Sequence, residues 1–145
     1  MRPTYLEVNL AQLKKNIEAI RAQVAPAKIM PMVKANAYGH GVDGVAPFIE
    51  PYVDYFGVAI VEEGMHLREL GIRKPILVAG GTLPEQVPLL AEYDLTLTGS
   101  SITLLDVAEE VSRSTGTRIK THLKIDTGME RVGAREYEAE SFILK

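Results

Sequence analysis

Apolar strand-like runs alternate with helix-like runs through the whole chain, and this alternation limits the fold more than any other feature. Strand-like runs begin near residues 28, 55, 75, 94 and 118, which makes roughly five β/α units of about 19 to 27 residues. A connection between parallel strands needs a crossover, usually a helix, so the pattern predicts an α/β protein with a parallel sheet.

Local signals set the element boundaries. Asn9 reads as a helix N-cap, and Leu10, Leu13, Ile17, Ile20 and Val24 recur at helical spacing until Pro26 closes the segment. Lys28 to Ala35 reads as a strand, followed by a glycine-rich turn and a short helix near Val45 to Glu50. Tyr55 to Ile60 reads as a strand, and Glu62 to Leu70 as a helix stopped by Gly71. Pro75 to Ala79 and Leu95 to Thr98 are further strands; Pro84 suits a first helical turn. Ser100 or Ser101 caps a helix running to about Ser114, Arg118 to Ile125 is the fifth strand, and Glu136 to Lys145 starts another helix.

The strand faces choose between an open sheet and a barrel. In the fifth strand Ile119, Thr121, Leu123 and Ile125 point one way, and Lys120, His122, Lys124 and Asp126 the other. In the first, Ile29, Val33 and Ala35 oppose Lys28, Met30, Met32 and Lys34. Leu95 and Leu97 oppose Thr96 and Thr98. A sheet covered by helices on both sides is apolar on both faces. One apolar and one polar face suits a barrel with helices outside and a functional interior. The expectation is a piece of a (β/α)8 barrel over residues 1–145, a fragment or half of something, because a whole barrel takes about 250 residues.

Composition narrows the chemistry. The chain has 46% apolar and 24% charged residues and no cysteine, which excludes disulfides, thiolate metal sites and cysteine nucleophiles. A net charge of -3 offers no basic field for nucleic acid or an acidic membrane. No apolar run approaches the roughly 20 residues of a membrane span, and the N-terminus has no signal-peptide core, so a cytoplasmic setting is expected. The histidines at 40, 66 and 122 show no metal-ligand spacing, and His66 is expected to pair with Glu62 across one helical turn.

Two loops could carry a reaction. Val33-Lys34-Ala35-Asn36-Ala37-Tyr38-Gly39-His40-Gly41 places a lysine at a strand end, where parallel α/β proteins build their sites. An amine there can form a Schiff base with an aldehyde cofactor such as pyridoxal phosphate, and Tyr38 can reach a phosphate oxygen. The bland alternative is a lysine that snorkels to solvent. Lys124-Ile125-Asp126-Thr127-Gly128-Met129-Glu130-Arg131-Val132-Gly133 brings a second inward lysine and an arginine able to bind a phenolate or carboxylate. Lys124 and Arg131 would repel, unless CO2 carbamylates the amine; equally, Lys124 can simply pair with Asp126. Asp126-Thr127-Gly128 also occurs in aspartic proteases, but those are β-rich. Gly80-Gly81 lacks a phosphate-loop pattern and reads as a turn, and Glu136, Glu138 and Glu140 read as a solvated helix start.

On VKANAYGHG at 33–41 and LKIDTGMERVG at 123–133, with FGVAIVEEGMHLRELGI at 56–72 and PILVAG at 75–80, the chain resembles the alanine racemases. The resemblance covers essentially all 145 residues in order, and implies that residues 1–145 are the truncated N-terminal portion of the family's (β/α)8 TIM barrel domain. It implies a fold-type III enzyme using pyridoxal 5'-phosphate, with Lys34 holding the cofactor and serving as one of two catalytic bases. It implies that Tyr38 hydrogen-bonds the cofactor phosphate and that Arg131 binds the phenolic oxygen and the substrate carboxylate. Lys124 matches a lysine that is often N6-carboxylysine in the family. The implied reaction interconverts L- and D-alanine for peptidoglycan in a homodimer without a metal. The implied second base, a tyrosine of the partner subunit, and a C-terminal β-domain have no counterpart in this sequence, so the chain alone is expected to be inactive. Another amino-acid racemase of the same fold type, or a non-catalytic cofactor-binding or interaction fragment, are the alternatives.

Overall fold

The computed structural model describes residues 4–144. Four strands, β1 (Phe56–Val58), β2 (Ile76–Val78), β3 (Thr96–Gly99) and β4 (Thr121–Leu123), form one parallel sheet in the order β1-β2-β3-β4. Sequence order and spatial order coincide, with no reversal of the kind that marks a doubly wound sheet. This is the arrangement of consecutive barrel units, as expected from the strand faces. The helices Val61–Glu69, Val87–Glu92 and Ile102–Thr115 connect the strands. Register is set by Phe56 opposite Ile76, Leu77 opposite Thr96 and Leu97 opposite Thr121.

The core lies on the helix side of the sheet. Phe56, Val58, Ile76, Val78 and Leu97 are wholly buried there, and Leu67, Val87, Leu90 and Leu104 meet them from the helices. Each such side chain contributes about 1.5–3 kcal/mol through burial. The helix Val61–Glu69 comes so close that a Cβ on Gly64 would meet Leu95 Cδ1 at 2.9 Å. Ser101 caps its helix by accepting from Leu104 N–H at 3.2 Å, and Asn9 caps Leu10–Val24 by accepting from Gln12 N–H at 2.9 Å.

Several expected elements are shorter or shifted. Lys28 to Ala35 supplies one bridge, Met32 opposite Gly57, rather than a strand. Pro31 has no N–H to donate. From Ala35 to Tyr38 the backbone is left-handed, with φ of 50°, 56°, 51° and 53°. The segment still lies beside β1, since Gly57 N–H donates to Pro31 O and Val33 N–H donates to Gly57 O. The next helix spans Val42–Ile49, starting earlier than expected. The fifth expected strand splits at Lys124: β5 (Ile125–Asp126) leaves the main sheet and pairs in parallel with β6 (Ala134–Arg135). Glu136–Glu138 is a 3-10 turn and Ala139–Ile143 a short helix; Lys145 lies outside the described residues. In Leu10–Val24 only Ile17 is buried, while Ile20 and Val24 are exposed, because the helix packs through its first half.

Candidate functional site

Side chains on the inner face of the sheet converge on one cavity. Lys34 follows the Met32 bridge and precedes the left-handed turn, so it sits at the rim formed by the C-terminal ends of the strands. The turn is held by Val42 N–H donating to Asn36 Oδ1 at 2.8 Å and Gly39 N–H donating to Ala35 O at 3.0 Å. The Glu63 carboxylate also accepts from Ala35 N–H at 2.7 Å. Tyr38 stands beside the lysine, its ring centroid 5.8 Å from Lys34 Nζ, and remains largely exposed.

Lys124 occupies the joint between β4 and β5. Its N–H donates to Gly99 O at 2.9 Å, and its C=O accepts from Ala134 N–H at 2.9 Å. Gly133 passes over it with φ of 127°, where a Cβ would lie 2.9 Å from Lys124 O. Only glycine tolerates both that conformation and that approach. The loop between these points carries Arg131. Asp126 does not pair with Lys124: its Oδ1 accepts from the N–H groups of Gly128 and Glu130, each at 3.1 Å, and Arg135 lies 3.7 Å from its other oxygen.

Lys34, Lys124 and Arg131 line the same cavity of about 740 Å³, together with Met32, Thr98 and His122. Neither lysine, nor Arg131, has a carboxylate partner among the described residues. A cavity lined by three basic side chains without carboxylate partners favours an anionic ligand. Behind them His122 packs against Tyr55, with ring centroids 5.8 Å apart, and the Tyr55 hydroxyl shares a hydrogen bond with Thr96 Oγ1.

The chain bends at Gly80 after β2, where a turn is expected, and Gly80 and Gly81 line the cavity as well. One sequence reading needs correction here. His66 does not pair with Glu62; its Nε2 meets Asp43 Oδ1 at 2.7 Å, and its Nδ1 lies 3.8 Å from Glu69. The bond to Asp43 raises the His66 pKa from its ordinary value, while Glu62 accepts from Gln86 Nε2. Sequence reasoning also passed over Glu63. Its position in the first turn of a helix was the available signal, since an acid there can cap backbone N–H groups.

The loop that presents Arg131 should be acid-sensitive in a defined direction. Hydrogen bonds from the Gly128 and then the Glu130 N–H hold the Asp126 carboxyl below the ordinary carboxylate range, although burial opposes them. A lowered pKa stabilises the fold fully above the unfolded value of about 3.9 and loses that stabilisation as pH falls through the folded value. The amide shifts of Gly128 and Glu130 are therefore expected to report a carboxyl transition whose midpoint lies below the ordinary aspartate value of about 3.9. A carboxyl transition reported by these amides above pH 5 would contradict this account.

Comparison with known proteins gives a consistent picture. The family described as "Alanine racemase, N-terminal domain" matches residues 8–145. Alanine racemase 1 of Caldanaerobacter subterraneus subsp. tengcongensis is 43% identical over 148 residues, covering 100% of this chain and 38% of that protein. The solved alanine racemase of Clostridium difficile 630 in complex with cycloserine has a TM-score of 0.93 at 36% identity, covering 99% of this chain and 40% of that one. The histidine racemase of Leuconostoc mesenteroides subsp. sake has a TM-score of 0.86 at 32% identity, covering 93% and 37%. This chain thus spans about two fifths of the length of these relatives.

Proposed function

Because the chain belongs to the alanine racemase N-terminal domain family, we propose that it carries the amine-bearing part of a pyridoxal 5'-phosphate site for the interconversion of L- and D-alanine. The observation that carries this reading is the convergence of Lys34, Lys124 and Arg131 on one cavity without a carboxylate to neutralise them. The residues fit the group. The cofactor is an anionic aldehyde, and the cavity offers the Lys34 amine, the Arg131 guanidinium with Lys124 beside it, and a volume within the roughly 300–1,000 Å³ of small-molecule sites. Gly80 and Gly81 let backbone line its wall without side-chain bulk.

Lys34 would hold pyridoxal phosphate by its aldehyde, and the bound cofactor would supply an electron sink that makes an amino acid's α-C–H acidic. As a free amine, Lys34 Nζ would take the α-proton on the D-alanine face and return it there. The Tyr38 hydroxyl would donate to the cofactor phosphate. Arg131 would bind the phenolic oxygen and orient the substrate carboxylate, using its fixed planar fork. Lys124 takes up CO2 as N6-carboxylysine: an N–C bond forms, a proton leaves, and the resulting anion faces Arg131. Inversion needs a second base on the opposite face. In this reading it is a tyrosine of the partner subunit in a cytoplasmic homodimer, and the complete reaction serves peptidoglycan synthesis in a protein of the relatives' full length.

A different amino-acid substrate is the second reading, favoured by the likeness to the histidine racemase of Leuconostoc mesenteroides subsp. sake. Both readings share the lysine. Borohydride reduction of the chain mixed with pyridoxal phosphate, followed by peptide mapping, is expected to place the label on Lys34 in preference to the exposed Lys15 and Lys28. Equal labelling of all three would overturn the proposal.

A further inference from the structure

We propose that Glu63 is a positioning residue that aims the Lys34 amine into the cavity; this rests on the reading of Lys34 given above. The Glu63 carboxylate reaches two segments at once. Oε1 accepts from Ala35 N–H at 2.7 Å, and Oε2 accepts from Ala59 N–H at 2.7 Å and, more weakly, from Ile60 N–H at 3.4 Å. Ala59 follows β1 and lines the cavity, so one carboxylate ties the strand exit to the lysine's own peptide.

The geometry gives the tie a specific effect. The N–H of Ala35 belongs to the peptide that joins it to Lys34. Fixing that peptide plane fixes ψ of Lys34. On the other side the Val33 C=O, part of the peptide that joins Val33 to Lys34, accepts from Ala37 N–H at 2.9 Å, and Val33 N–H donates to Gly57 O at 2.8 Å, which anchors the residue to β1. Lys34 is thus held between two backbone anchors, and its Cα–Cβ bond has one direction. The anchor on the Ala35 side meets opposition, because the chain turns left-handed there at four successive non-glycine residues. Such a run is disfavoured for L-residues and persists only where its surroundings hold it. Glu63 supplies a charge-assisted bond at the first residue of the run. Its negative charge is spent on backbone N–H groups, leaving the lysine without a counter-ion.

Glu63→Gln keeps the shape and leaves one acceptor oxygen for the three N–H groups. Three measurements on the 145-residue chain test the inference. In the Gln variant, hydrogen exchange at the Ala35 or Ala59 amide should accelerate about tenfold, the effect of one charge-assisted hydrogen bond. Reductive labelling of Lys34 by pyridoxal phosphate should fall about tenfold. Labelling of Lys124, in the same cavity, should be unchanged; a merely looser fold would move both lysines. Glu63→Asp is the second variant should the Gln form not fold: it retains the charge at the helix start but is one methylene too short to span both segments, and it should show the same selective loss. Preferential labelling of Lys34 that persists undiminished in both variants would overturn the inference while leaving the function standing. An unmodified chain with no preference for Lys34 would overturn both, even if the Ala35 amide still depended on Glu63.

Discussion

Arg68→Ala is expected to destabilise the chain by about 3 kcal/mol, a large share of what a domain of this size possesses. The guanidinium, only 15% exposed in its side chain, donates to four backbone carbonyls: Ile72 at 2.8 Å, Lys74 at 2.9 Å, Tyr93 at 2.9 Å and Asp94 at 2.7 Å. The first two acceptors precede β2 and the last two precede β3. A single side chain therefore closes the N-terminal ends of two neighbouring strands. Burial lowers the arginine's pKa and Asp94 opposes the shift, but the group stays charged at any ordinary pH. Truncation would leave four carbonyls to find water in a half-buried position, at a cost of 1–3 kcal/mol for each that fails, roughly and not additively. Arg68→Lys should recover little, because a single ammonium cannot match the planar fork. Urea unfolding reads the effect directly, and a loss below about 1 kcal/mol would contradict the assignment of this residue as the clamp.

Gly80→Ala is expected to damage both stability and the cavity, whereas Gly81→Ala, one residue on, is expected to leave stability nearly unchanged. A Cβ on Gly80 would stand 2.2 Å from the carbonyl oxygen of Ala59. That oxygen accepts from Gly80 N–H at 3.1 Å, so neither group can withdraw without breaking the contact between the exits of β1 and β2. Overpacking of this kind costs about 1–3 kcal/mol, and a backbone obstacle places it toward the upper end. No atom lies within 4 Å of a Cβ on Gly81. Since both glycines line the cavity, the Gly80 variant should also lose labelling of Lys34 by pyridoxal phosphate. Equal unfolding midpoints for the two variants would refute the distinction.

Much of this architecture was legible in the sequence because burial writes a period into the strands. Leu95 and Leu97 opposed Thr96 and Thr98 on paper, and in the fold Leu97 faces the helices while Thr98 lines the cavity. The same alternation placed Lys34, His122 and Lys124 on a common inner face, where they are found. The turn after Lys34 was not legible. Ala35, Asn36, Ala37 and Tyr38 include no glycine to announce positive φ, and the first of them hydrogen-bonds Glu63, which lies 28 residues further along the chain from Ala35. The partner of His66 was missed for the same reason: Asp43 lies 23 residues away, and helical spacing pointed to Glu62 instead. Local patterns report which way a side chain faces, and they carry no information about which distant group meets it.

The division of the sheet into a helix-facing and a cavity-facing side bears on how such a chain can change over generations. Volume and shape are policed at Phe56, Val58, Ile76, Val78 and Leu97, where a lost methylene is felt at once. The alternate positions, Leu77, Thr98 and His122 among them, border open space. Drift there can rewrite what the cavity accepts while the folding residues one step along the backbone stay as they are.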